Sequence, residues 1–264
     1  MRLSCRVEQR PRPPRDSGAH GVRSTVARPP LYDDWSKALG ENPFWPTAAI
    51  VTSAVLYADL PSRFIAGPSA GAFGIVRWVV PVLTAILLAA LVVSVPGGLP
   101  MKSLGWAGTR LHVTRRWLSL ATIAIVSAAN AASIILLVHL LVNGAHANAP
   151  TLLRAAVHMW VVNVLLFGLW YWQLDGGGPL ARPGRTLTGM DFLFPQHTEP
   201  GLSQSGWRPL FLDYLYVSFT NAAAFSPTDT LPLSRWAKML MLAQSAMSLS
   251  LAVMVVARAV NILQ

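Results

Sequence analysis

The stretch "TNAAAFSPTDTLPLSRWAK", residues 220–238, decides how the chain folds. It sets Ser226, Pro227, Thr228 and Asp229, and then Pro232, between an aromatic run and the last long apolar segment. Non-helical backbone among hydrocarbon is tolerated only where protein buries it or where it lines a wet cavity. Upstream, Leu212, Leu215, Tyr216 and Phe219 recur at i, i+3, i+4 and i+7, an apolar helical face. That run is too short to cross a bilayer before Ser226 and Pro227 interrupt it. Over residues 209–264 the expectation is therefore a half-helix, a polar turn and a full helix.

The rest of the chain sets the context. Of its 264 residues, 53% are hydrophobic and only 12% are charged, with mean hydropathy +0.45. Soluble domains carry about a quarter charged residues, so the composition is that of a membrane protein. A single cysteine, Cys5, excludes an internal disulfide framework or a cysteine-based metal site. The net charge of +10 is unevenly spread. Residues 1–43 open with Arg2, Arg6, Arg10, Arg12, Arg15, Arg23 and Arg28, interleaved with prolines and almost no large apolar side chains. Such a tail cannot bury enough surface to offset its ordering entropy and is expected to be disordered. It has no apolar core of a signal peptide. No folded module accompanies its arginines, so anionic lipid rather than nucleic acid is their expected partner.

A helix crossing the hydrocarbon core needs roughly 20 mostly apolar residues. Five stretches approach this: about 44–60, 76–95, 117–142, 153–172 and 237–262. The first is short and ends in Asp59, and the second tolerates Pro81. The expected fold is thus an all-α membrane protein with about five transmembrane helices and a re-entrant half-helix before the last. Its organisation reads as a tail (1–43), a four-helix transmembrane region (44–173), a long connecting loop (174–208) and the C-terminal module (209–264). The tail and the loop carrying Lys102, Arg110, Arg115 and Arg116 are separated by two spans and share a side, which the positive-inside rule makes cytoplasmic.

Within the spans, polar residues are sparse: Asn130, Ser133, His139, His158, Asn163, Gln244, Ser245 and Ser248. Intramembrane polar residues mark functional paths by default, yet they also serve as interhelical hydrogen-bonding partners. Gln244 and Ser248 are four apart, hence on one helical face, and are expected to meet protein rather than lipid. His139 and His158 without a carboxylate at helical spacing make a poor metal site. "WYW" at 170–172 reads as an interfacial aromatic belt, and "QLDGGGP" stops the helix behind it. In the long loop, Phe192, Leu193 and Phe194 are too apolar for a free linker and are expected to lie against protein or membrane.

Residues 209–263 resemble the pore module of potassium channels. Laid on that pattern without gaps, "LYVSFTNA" matches the pore helix and residues 224–229 fall on the filter. Pro232 falls on the following proline and "RWAK" on the start of the inner helix. The filter glycines, whose backbone freedom lets successive carbonyls face an ion, are here Ser226 and Thr228, and Pro227 fixes its own φ. The resemblance therefore implies a channel-like scaffold with a different constriction, for which Thr220, Phe225, Ser226, Thr228 and Asp229 are candidates. Pro227 and Pro232 are then structural turn residues. From "FGLWYWQLDGGGP" through "DFLFPQ" to "SRWAK", the chain also resembles a group of bacterial integral membrane proteins. That resemblance implies an inner-membrane location.

Two functions follow as expectations. One is an oligomeric, weakly selective channel for ions or small solutes. The other is a non-conducting membrane scaffold or auxiliary subunit. Enzyme chemistry is not expected: there is no HExxH, Gly-x-Ser-x-Gly or phosphate loop, and Asp213 with Asp229 is too little for acid–base work. No metal or other cofactor is expected.

Overall fold

The computed structural model describes residues 44–61, 78, 81–86, 105–142, 149–179, 181–182, 189–198, 207–224 and 229–262. The basic tail, most of the second expected span and Phe225, Ser226, Pro227 and Thr228 lie outside them. The order is α1 (Phe44–Asp59), α2 (Gly105–Val142), α3 (Ala149–Leu174), a 3-10 turn (Asp175–Gly177), β1 (Phe192–Leu193), α4 (Pro195–Thr198), α5 (Phe211–Ala224), β2 (Leu231–Pro232) and α6 (Arg235–Ile262). Residues 81–86 are helical as well.

Among the described residues, three helical segments are long and apolar enough to cross a membrane: Arg116–Val142, Pro150–Gly177 and Arg235–Ala257. They correspond to the third, fourth and fifth expected spans. With 16 residues, α1 is about 24 Å long at about 1.5 Å per residue, short of the roughly 30 Å hydrocarbon core. The expected all-α fold needs one amendment, because β1 and β2 form a small antiparallel sheet with Phe192 opposite Pro232 and Leu193 opposite Leu231. The described residues of the connection between α3 and α5 accordingly form a turn, a strand and a short helix, and Pro232 is a strand residue rather than a bare turn.

Helix α3 is the central post, packing against α1, α2, α5 and α6. Of its apolar window 61% is buried inside the protein, against 22% for α6 and 28% for α2. Its approach to α5 is close at Gly168, where an added Cβ would stand 3.2 Å from Leu215 Cα. Three apolar clusters fill the core. One joins α1, α2, α3 and α6 through Tyr57, Leu137, Met159 and Leu251. A second gathers Ile50, Val126, Leu166 and Phe211. The third sets Tyr171, Phe192, Phe194, Tyr214 and Met241 together.

Most of the apolar face read on α5 turns outward, while Leu215 packs against the core beside Gly168. Leu212, Tyr216 and Phe219 are exposed, whereas Phe211, Tyr214, Val217, Ser218, Asn221 and Ala222 are buried. Helix α6 repeats this, exposing Trp236, Met239, Leu242, Leu249, Val253 and Val256 while burying Gln244 and Ser248. A helix solvated by water does the opposite. Where lipid is the solvent, an apolar side chain gains little by turning inward and a polar one gains much, since hydrocarbon offers it no partner. Periodicity finds the face in both cases but not its direction.

Candidate functional site

Gln244, on α6, is wholly buried and is the hub of a polar cluster joining α3, α5 and α6. Its Oε1 accepts from the Tyr171 hydroxyl at 2.6 Å and from Asn221 Nδ2 at 2.9 Å. Its Nε2 donates to Ser218 Oγ at 2.7 Å and to the Ser218 carbonyl at 2.9 Å. Both lone pairs and both amide protons are thus engaged. The orientation is fixed chemically, since turning the amide over would set its NH2 against that of Asn221. Ser218 Oγ passes its own proton to the Val164 carbonyl at 2.7 Å. Asn221 Nδ2 also reaches the Met241 carbonyl at 3.0 Å, and Ser245 Oγ donates to Asn221 Oδ1 at 3.2 Å. One turn further along α6, Ser248 Oγ accepts from Asn163 Nδ2 at 3.0 Å.

Other intramembrane polar groups join α2 to α3. Gln173 Nε2 donates to Ser119 Oγ at 3.0 Å, Trp170 Nε1 to Ser127 Oγ at 3.0 Å and Asn130 Nδ2 to the Met159 carbonyl at 3.4 Å. The Asp59 carboxylate approaches His158 Nδ1 at 3.5 Å, tying the end of α1 to α3. Of the "WYW" belt expected at 170–172, Tyr171 departs from the expectation, while Trp170 and Trp172 are half-buried. Tyr171 is fully buried, Trp170 bonds to α2, and Trp172 rests edge-on against Phe211 with centroids 6.1 Å apart. Tyr171 packs inward because α5 and Phe192 of β1 cover it.

A second cluster closes the end of α3, around a fully buried Asp175. Three consecutive glycines with positive φ, Gly176 (58°), Gly177 (87°) and Gly178 (99°), turn the chain there in a backbone region that side chains rarely adopt. The turn brings Arg182 back beneath the helix end. Its Nε lies 3.5 Å from Asp175 Oδ2, its Nη1 donates to the Pro209 carbonyl at 3.2 Å, and its Nη2 donates to the Trp172 carbonyl. Its guanidinium carbon stands 4.7 Å from the centroid of the Tyr214 ring. The Tyr214 hydroxyl donates to Asp175 Oδ2, and the backbone amides of Asp191 and Phe192 donate to Oδ1 at 2.6 and 3.2 Å. Asp191 answers with Oδ2 accepting from Gly176 N at 3.4 Å. Leu233 N donates to the Asp191 carbonyl at 2.8 Å, so this clasp also fixes the approach to α6.

The candidates read from the sequence fare unevenly. Gln244 and Ser248 come together with Asn163 in the polar core. The Thr220 hydroxyl is taken up by its own helix, donating to the Tyr216 and Val217 carbonyls at 3.0 Å each. Asp229 is exposed and its Oδ1 accepts from Thr230 Oγ1 at 3.4 Å. Phe225, Ser226, Pro227 and Thr228 lie outside the described residues. Sequence reasoning missed Asp175, Arg182, Tyr214 and Asn221. The usable signal was "LDGGGP", a lone acid set directly before three glycines at the end of an apolar span. Among the described residues no group of three His, Cys, Asp or Glu is placed to hold a metal ion. No family model, no curated protein and no solved structure matches the chain.

Proposed function

We propose that this is a multi-span membrane protein whose C-terminal module is a re-entrant half-helix, α5, followed by the last span, and that its oligomer forms a weakly selective cation path. One observation carries the reading: α5 leaves from the Asp175 end of α3, and the chain is back at that end when β2 pairs with β1. An excursion that departs and returns on one side is what a half-helix and its loop make of a bilayer. In a symmetric assembly Asp229 would then contribute an acidic ring favouring cations, with Phe225 as an apolar collar.

A second reading has its own support. The polar groups around Gln244 bond to one another within one chain, as a rigid scaffold requires. Flux of cations, anions and small solutes through liposomes holding the purified protein separates the two. A conducting oligomer gives a cation leak that Asp229→Asn weakens and Phe225→Ala enlarges. Liposomes that stay tight with Phe225 both intact and truncated would remove the pore and leave the scaffold. In that case Pro227→Ala and Asp229→Asn should disturb assembly instead.

A further inference from the structure

The loop between α3 and α5 holds a titratable group that neither reading uses. His197 lies on α4, and its backbone N–H donates to the Phe194 carbonyl at 3.0 Å. In return the Phe194 N–H donates to His197 Nδ1 at 3.3 Å. An acceptor nitrogen at that position requires a neutral ring with its proton on Nε2. The ring is held edge-on between Phe194 and Trp207, with centroids 6.0 and 5.3 Å away. Phe194 is itself 4% exposed, so its amide cannot turn to water unless the loop moves.

We propose that residues 189–198 form an acid-released latch, with His197 Nδ1 as the proton acceptor that opens it. A proton taken from solvent by Nδ1 places two N–H donors face to face, and the Phe194 amide loses its acceptor. The imidazolium, half-buried between the Phe194 and Trp207 rings, is less fully solvated there than it would be in an open loop. The charges bearing on it are Asp175 in the turn after α3, which attracts it, and Arg182, which repels it. Asp175 already serves Arg182, the Tyr214 hydroxyl of α5 and two β1 amides, and the Asp191 carboxylate serves Gly176 N. Burial is the largest influence and pushes His197 below its ordinary 6.5, with Arg182 adding to it and Asp175 opposing. A group whose folded pKa is depressed in this way favours the closed clasp above 6.5. That contribution drains away as pH falls from 6.5 through the folded value.

Gln196 Oε1, next in the chain, is buried without a partner, so the closed clasp already carries an unmet acceptor. Opening releases β1 from β2 and the Asp191 carbonyl from Leu233 N, and so frees the start of α6. The latch is independent of whether anything is conducted.

Amide hydrogen exchange on the full-length protein in lipid nanodiscs, corrected for intrinsic exchange at each pH, reads it directly. Protection over 189–198 should be lost on acidification below 6.5 while that of α3 persists. His197→Gln, which takes no proton in this range, should make the loop profile flat. Parallel loss in wild type and His197→Gln, or full protection of the wild-type loop at pH 5, would overturn the latch. Should His197→Gln fail to fold, the imidazole resonance of wild-type His197 is followed by NMR instead. A midpoint at or above the ordinary 6.5 would overturn it equally.

Discussion

A buried amide is worth what its partners lose when it goes. Replacing Gln244 by Leu keeps most of the volume but takes the acceptor from the Tyr171 hydroxyl and one bond each from Asn221 and Ser218, which keep the Met241 and Val164 carbonyls. Each interhelical bond of this kind in a membrane contributes on average about 0.6 kcal/mol, while an unmet buried polar group costs roughly 1–3 kcal/mol. Gln244→Leu should therefore lower unfolding free energy in detergent by about 2 kcal/mol. Ser250 is the matched control. It lies on the exposed face of the same helix and donates only to the Ala246 carbonyl. Ser250→Ala should leave stability unchanged, and equal losses in the two variants would show that the cluster around Gln244 is no tighter than the lipid-facing side.

At the level of elements, the sequence displays α2, α3 and α6 because each is a long apolar run with few charges. Their ends agree with the structure to within a few residues, apart from the polar first turns of α2. What it does not display is which side of a helix meets protein. In α5 the periodic residues Leu212, Tyr216 and Phe219 point outward and only Leu215 of that set meets α3, while Tyr214, Ser218 and Asn221 between them are buried against protein. The clasp was equally hidden, because Asp175 and Tyr214 are 39 residues apart and meet only when α5 folds back. Close approach of α3 and α5 hangs on Gly168, whose missing side chain leaves room for Leu215. Gly168→Val puts three carbons where one would already crowd the Leu215 backbone. It should force the helices apart and cost about 1–3 kcal/mol, as overpacking does elsewhere. Denaturation of the detergent-solubilised variant measures it, and a stability equal to wild type would mean the two helices slide at little cost.

Across the whole molecule, element ends fall into two groups. Gln173 bonds to Ser119, Trp172 meets Phe211, and β1 pairs with β2. These contacts place the membrane end of α2 near Arg116, the end of α3, the start of α5 and the start of α6 together. Asp59 meets His158, which sets the end of α1 toward the other side with the start of α3. Exposed Arg116, Arg235 and Lys238 belong to the first group, and Lys102, Arg110 and Arg115 precede its α2 segment in sequence. On the re-entrant reading proposed above, the positive-inside rule predicts a cytoplasmic Asp175 end, and α5 would then enter from the cytoplasm, the reverse of a potassium channel's pore loop. With Cys5 replaced by serine, single cysteines at Thr198 and Lys238, both exposed, should resist a membrane-impermeant maleimide applied to intact cells and react once the membrane is opened. A cysteine at Pro150, exposed at the start of α3, should react from outside. Reaction of Thr198→Cys and Lys238→Cys on opposite sides would mean that α5 crosses completely, and the re-entrant reading would fall with it.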